Sequence, residues 1–243
     1  MKHEAKNYKL TPKLNIKLKG EYLIDNVHDC DVSPQYNQIF LFGVDRGYEV
    51  VDGTNEPGVD YVMANRFIRN MIMCMNLNPK KDILIHMKTN GGSWEEGMAM
   101  YDTIRACPTG VTILNYTHAR SMSSIIFQAA NKRIMMPNSS FMFHSGTFGI
   151  EGTQKQVEST IKFYSKVSTN TMLEIYAHRM QEPGHTYSDK NITWIKKWLK
   201  DQMDKKEDVY LTAKEAVELG LADEIFDYNW DNLIIYTKEQ LER

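Results

Sequence analysis

The sequence predicts an α/β fold of stacked βαβ units, and three observations predict it. Short apolar runs bounded by turn residues recur along the chain, as in Ile39-Phe40-Leu41-Phe42-Gly43, Ile83-Leu84-Ile85-His86-Met87 and Val111-Thr112-Ile113-Leu114. Stretches with apolar residues at helical spacing stand between these runs, and strand–helix alternation of this kind builds βαβ units. The chain has 243 residues, 42% hydrophobic and 25% charged, enough to bury one sizeable core in one large domain.

Taken in order, residues 1–36 are polar and weakly periodic and read as an N-terminal arm, rich in lysine at Lys2, Lys6, Lys9, Lys13, Lys17 and Lys19. Residues 39–43 suit a buried strand. The segment from Asp45 to Asp60 holds the turn signals Asp52-Gly53 and Pro57-Gly58. Over 61–77, Val62, Phe67, Met71 and Cys74 recur at helical spacing, and Pro79 ends the helix by excluding helical geometry at Asn78. Residues 82–87 read as a strand running into the turn Asn90-Gly91-Gly92, with a helix from Ser93 to about Ala106. A third strand covers 111–114. Ser121 opens a helix to about Ala130, and 133–136 and 141–143 are short strands. A long polar helix runs over about 153–180, with Val157, Ile161, Tyr164, Met172 and Ile175 near one face; so narrow an apolar stripe calls for a partner. Glu182-Pro183-Gly184 breaks the chain before a shorter helix with Trp194 and Trp198 one turn apart. Residues 37–230 form the main domain and 231–243 a C-terminal tail.

The bulk properties exclude several classes. A net charge of −2 without a basic excess gives no footing for nucleic acid. The N-terminus lacks the apolar core of a signal peptide, and no run of eighteen apolar residues marks a membrane helix. Cys30, Cys74 and Cys107 share no metal-type spacing, and Cys74 and Cys107, beside apolar segments, read as reduced core residues, which fits a cytoplasmic chain. Met63, Met71, Met73 and Met75, among 15 methionines, read as flexible apolar filler.

The chemistry concentrates between Asn90 and His144. A glycine pair, a serine opening one apolar run and a histidine closing another are the parts of a serine hydrolase: an oxyanion turn, a nucleophile and a general base. A serine hydroxyl is a weak nucleophile and needs a base in reach. Ser121 is the candidate nucleophile, with Ser123 and Ser124 as rivals by composition; a serine at this position also serves as a helix cap. His144 is the candidate base, and His86 and His118 are the alternatives.

These motifs, in this order, resemble the Clp protease proteolytic subunit (ClpP) family, in the ClpP/crotonase-like superfamily. That family reads Ser-Pro-Gly-Gly-Ser, then Ala-Ser-Met-Gly, then Leu-Pro-Asn-Ser before Met-Ile-His. The counterparts are Thr89-Asn90-Gly91-Gly92-Ser93, Arg120-Ser121-Met122-Ser123 and Met136-Pro137-Asn138-Ser139 leading to Met142-Phe143-His144. Gly97-Met98-Ala99-Met100-Tyr101-Asp102-Thr103, Tyr210-Leu211-Thr212-Ala213-Lys214-Glu215-Ala216 and Gly220-Leu221-Ala222-Asp223 extend the resemblance, which covers about 38–225.

The resemblance implies stacked ββα units with a protruding handle helix, here 153–180. It implies a serine endopeptidase with Ser121, His144 and an aspartate. Anchoring on Tyr210-Leu211-Thr212-Ala213, the family's Asp-x-x-x-Asp pattern falls on Asp204 and Asp208. Asp204 is the expected third member, and Asp201 lies one helical turn away. The amides of Gly92 and Met122 would form the oxyanion hole, with Gly91 supporting the turn, and Gly146, Phe148 and Gly149 would pair with substrate backbone. Asn90 replaces a proline and Arg120 a small residue of the family pattern, and Arg120 bears on substrate preference.

The implied partners are unfolded polypeptides, further copies of the chain in two stacked heptameric rings, and a hexameric AAA+ Clp ATPase. No cofactor or metal is expected in this chain. ATP would be used only by the separate ATPase, because the sequence has no Gly-x-x-x-x-Gly-Lys loop. The segments 1–35 and 45–60 depart from the family pattern, so pore gating and ATPase choice are expected to differ from the family's usual arrangement. Three other readings are a catalytically silent ring subunit, a phage-type capsid-maturation protease and a crotonase-like acyl-CoA enzyme.

Overall fold

The computed structural model describes residues 26–43, 58–147 and 149–233. The described part of a first helix, α1, covers 26–30. The strands are β1 (Val32–Ser33), β2 (Gln38–Phe42), β3 (Ile83–Thr89), β4 (Val111–Arg120), β5 (Lys132–Met135), β6 (Ser140–Phe143), β7 (Val209–Thr212) and β8 (Glu224–Ile225). The other helices are α2 (Tyr61–Leu77), α3 (Trp94–Arg105), α4 (Met122–Gln128), α5 (Gln154–Met180), α6 (Ile192–Lys206) and α7 (Ala213–Glu218). The mixed α/β class expected from the sequence is the one observed.

β2, β3, β4 and β5 lie side by side and parallel, and β8 continues the order beyond β5. β4 is the organising strand because it carries two sets of partners. Its first half pairs with β5 (Thr112↔Lys132 to Asn115↔Met135), and its last three residues pair in parallel with β6 (His118↔Ser140 to Arg120↔Met142). β7 then adds antiparallel to β6, with Phe143 opposite Val209. The expected strand over 111–114 is therefore extended to ten residues. The residues beyond Leu114 gave no continuous apolar signal, and pairing of residues 118–120 with β6, and of Asn115 and Ala119 with β3, extends the strand.

One face of the sheet carries the main core, in which Met71, Phe127, Phe141, Phe143 and Tyr176 are buried together with Met100 and Leu199. Cys74 lies in it, and burial, with Cys107 nearby, pushes its thiol up to about 11, as befits an unreactive core residue. The opposite face holds a smaller cluster of Leu84, Leu114, Ile134, Phe226 and Leu233.

The expected boundary of the arm at residue 36 is corrected. Val32 is buried, β1 pairs antiparallel with β2, Arg66 of α2 meets Asp31, and Asn70 Nδ2 donates to the Cys30 carbonyl at 2.7 Å. Residues 26–36 thus belong to the fold, and 1–25 and 44–57 lie outside the described residues. In the expected tail, Leu233 packs under Phe226, and 234–243 lie outside the described residues.

α2 begins at Asp60, whose carboxylate accepts from the amides of Val62 and Met63, and ends at Asn78 before the proline, as the sequence predicts. α5 spans 27 residues and opens with a capping box, Thr153 and Gln156 each accepting from the other's backbone. Its expected apolar stripe divides along its length. From Ser168 onward the helix is anchored by Met172, Leu173, Tyr176, Ala177 and Met180, whereas Ile161, Phe163 and Val167 in the first half are exposed. Among the described residues no helix is long and apolar enough to cross a membrane.

The base of α5 is fixed to β5 through Arg133, a fully buried guanidinium. Its Nη2 meets Asp223 Oδ1 at 2.5 Å, Nη1 meets Gln128 Oε1 at 2.6 Å and the Gly220 carbonyl at 2.9 Å, and Glu182 adds a contact at 3.3 Å. A charge so deep is tolerated only where its donors are matched. Arg179, near the end of α5, donates to the carbonyls of Gln128 and Ala130 in α4 and the turn after it.

His86 sits on the opposite face of the sheet. It stacks on Phe40 at 4.7 Å and bonds Tyr116 Oη at 2.9 Å, and burial lowers its pKa from 6.5 to about 4. Above pH 6.5 the ring is neutral in folded and unfolded chains alike. Between about 6.5 and 4 the unfolded chain takes up a proton that the folded chain refuses, so stability falls as pH falls. We expect a loss on the order of 2–3 kcal/mol over that window from this group. Urea titrations of the wild type and His86→Gln at pH 7.5 and 4.5 check it. The variant should lose less stability on acidification, and an equal loss in both proteins would show that His86 does not drive it.

Candidate active site

Ser121 stands where β4 gives way to α4, with φ 51° and ψ −131°. A non-glycine residue in this region is strained by roughly 1–3 kcal/mol, and such strain gathers at functional positions. The turn is held by the Ser121 amide, which donates to the Met142 carbonyl of β6 at 3.2 Å. Although Ser121 occupies the cap position of α4, its side chain makes no capping bond. Its Oγ lies 2.9 Å from His144 Nε2. The choice between helix cap and paired hydroxyl is settled by that contact.

The rival serines point inward. Ser123 and Ser124 are both fully buried; Ser123 Oγ donates to the Arg120 carbonyl, and Ser124 Oγ is tied to the Ser121 carbonyl and to Tyr176 Oη. The rival histidines are elsewhere too. His86 is engaged with Tyr116, and neither it nor His118 lines the cleft in front of Ser121.

His144 directly follows β6, and its Nδ1 lies 3.0 Å from Asp208 Oδ1. This corrects the expectation of Asp204. α6 continues to Lys206, which leaves Asp204 on the exposed side of its last turns. Glu207, at φ 60°, ends the helix and reverses the chain. β7 then starts at Val209 opposite Phe143, and one step further along the same antiparallel register sets Asp208 opposite His144. The pairing is thus a cross-strand neighbour contact. Asp201 is likewise within α6. The sequence held a signal for this element in Thr212 and Glu215, which form a capping box at the start of α7 and mark where β7 must end.

The glycine turn faces Ser121 from the end of β3. Val59 stitches it in place: its amide donates to the Gly91 carbonyl at 2.7 Å, and its carbonyl accepts from Ser93 at 2.8 Å. Because Gly91 C=O and Ser93 N–H point at Val59, strand alternation turns the Gly92 N–H to the other side. A side chain at Gly92, φ 152°, would lie 2.4 Å from the Val59 carbonyl oxygen. One at Gly91, φ 91°, would lie 2.7 Å from both the Arg120 carbonyl and the Met122 amide nitrogen. Both positions demand glycine, and they bring the turn against the Ser121–Met122 peptide. Met122, first residue of α4, has no intrahelical acceptor for its N–H.

A cleft of about 690 Å³ opens in front of these groups. Gly92, Ser121, Met122 and His144 form one wall, residues 145–147 and 149–151 another, and Thr160, Tyr164, Thr169 and Met172 of α5 a third. Gly146 and Gly149 line it, while Phe148 lies outside the described residues. Arg120 does not line it. It shares a register pair with Met142 and falls on the face of β4 opposite to that of buried Ala119.

A strained serine hydrogen-bonded to a histidine that is itself held by an aspartate, on an α/β frame, defines a protein of the serine-hydrolase class. Residues 55–229, more than half of the chain, match the Clp protease family, and the chain belongs to that family. Among its relatives, the ATP-dependent Clp protease proteolytic subunit of Deinococcus radiodurans is 28% identical over 176 residues, covering 72% of this chain and 79% of that protein. The ATP-dependent Clp protease proteolytic subunit 3 of Streptomyces coelicolor is 30% identical over 172 residues, covering 69% and 71%.

Proposed function

We propose that this chain is a serine endopeptidase, the proteolytic component of a Clp-type protease, cutting polypeptides through an acyl-enzyme. The observation that carries the reading is the unbroken hydrogen-bond chain from Ser121 Oγ through His144 to Asp208. In that mechanism Ser121 Oγ attacks the peptide carbonyl carbon as its proton passes to His144 Nε2. Asp208 holds the Nδ1–H and stabilises the imidazolium. The Gly92 and Met122 amides receive the oxyanion. His144 then protonates the departing amine as the C–N bond breaks. Water, deprotonated by His144, cleaves the ester and frees Ser121.

An acyl-CoA enzyme of the crotonase kind stabilises an enolate and has no use for this serine–histidine contact, which favours the peptidase. The names of the relatives support partnership with a separate ATPase. The resemblance supports a closed double ring in which α5 packs between rings, and its exposed Ile161, Phe163 and Val167 are suited to that packing. Enclosure of the sites would restrict cutting to unfolded chains.

The test is labelling of the whole protein with a fluorophosphonate, followed by peptide mapping. One adduct, on Ser121, is expected. Labelling on Ser123, or none, would overturn the proposal, because Ser123 is fully buried and no other serine is paired with His144.

A further inference from the structure

The cleft in front of Ser121 is unevenly charged. Among the described residues its carboxylate-bearing lining residues are Glu95 and Glu151, and no lysine or arginine lines it. Glu95 stands in the first turn of α3, three residues beyond Gly92. Tyr164, from the exposed half of α5, donates its hydroxyl to Glu95 Oε1 at 2.6 Å. This bond joins two walls of the cleft across 69 positions of sequence. The bond to Glu95 raises the Tyr164 phenol above its usual range, so the tyrosine keeps its proton and remains the donor. A carboxylate has about four lone-pair sites, and one neutral donor does not exhaust them. The same cleft is lined by the apolar side chains of Met122, Ile125 and Met172.

A pocket with an apolar wall and an anionic end matches a long aliphatic stem tipped by a cation. We propose that Glu95, held in place by Tyr164, makes this cleft select peptide segments with a lysine or arginine side chain on the acyl side of the bond that is cut. The stem lies along Met122, Ile125 and Met172, and the cationic end meets the Glu95 carboxylate, with Glu151 adding to the same negative field. This inference rests on the peptidase reading.

The experiment uses the whole protein and three fluorogenic peptides that differ only in the residue before the scissile bond: lysine, leucine or glutamate. The expected order of kcat/KM is lysine, leucine, glutamate, with lysine ahead of leucine by about fivefold, the size expected of an ion pair open to water on one side. Glu95→Gln should bring the lysine-to-leucine ratio close to one. Tyr164→Phe keeps the charge but releases it, and should lower the ratio part of the way. Leucine ahead of lysine in the wild type, or a ratio that Glu95→Gln leaves unchanged, overturns the inference. Fluorophosphonate labelling of Ser121 with the lysine peptide left uncut also overturns it and leaves the peptidase reading standing. Absence of both labelling and cleavage overturns the two together.

Discussion

Ser121→Ala is expected to abolish peptide hydrolysis and fluorophosphonate labelling, with a fall in kcat on the order of 10⁵-fold or more, because the nucleophile has no substitute. The two neighbouring serines are buried and bonded to backbone carbonyls. The same position carries a second expected result that separates function from stability. At φ 51° an alanine is strained as serine is, whereas glycine is not. Ser121→Gly should therefore melt above Ser121→Ala, by roughly 1 kcal/mol of added stability, while both are inactive. Thermal unfolding of the pair measures it. Equal melting of the two would mean that the strain at the elbow is not real, and hydrolysis surviving in either would remove Ser121 from the mechanism.

Asp208→Asn is expected to lower kcat by roughly 10³–10⁴-fold with little change in KM, because an amide opposite Nδ1 favours the wrong histidine tautomer. Asp204→Asn should stay within about twofold of the wild type, as expected of an exposed change away from a bonded group. Asp204 in the last turns of α6 and Asp208 just before β7 are close neighbours in sequence, so gross misfolding would affect the two variants alike. Steady-state kinetics on one peptide substrate distinguishes them. Loss of activity in Asp204→Asn with Asp208→Asn active would mean that the last turn of α6 unwinds in the working enzyme and carries Asp204 to the histidine.

The Ser121–His144 pair and the glycine turn facing it were legible because each lies inside a short stretch whose neighbours constrain it. The same holds for α2, where Asp60 and Pro79 bracket a periodic segment, and for α5, found within a residue of its expected ends. The aspartate was not legible, because the choice between Asp204 and Asp208 depends on where α6 stops and how β7 registers on β6. Glu207 adopts positive φ without being glycine or asparagine, so nothing in its identity announced the reversal. β1 escaped notice for a related reason. Two residues hold too little pattern to be read, and only β2 beside them gives Val32 a buried face. The clasp between Glu95 and Tyr164 joins side chains from distant segments, and neither segment bears a mark of the other.

β6 lies between the strand that delivers Ser121 and the strand that delivers Asp208, and this position sets an order of assembly. Ser121 and His144 are 23 residues apart, but His144 and Asp208 are 64 apart. Closing the longer loop costs about 0.9 kcal/mol more chain entropy than closing the shorter. β7 also cannot dock before α5 and α6 have been laid down. During synthesis the serine and histidine emerge first, and the imidazole has no Asp208 to orient it until the polypeptide has grown past Thr212. A nascent or prematurely terminated chain therefore carries a disarmed centre, and its potency as a hydrolase arrives with the last strand to join β6.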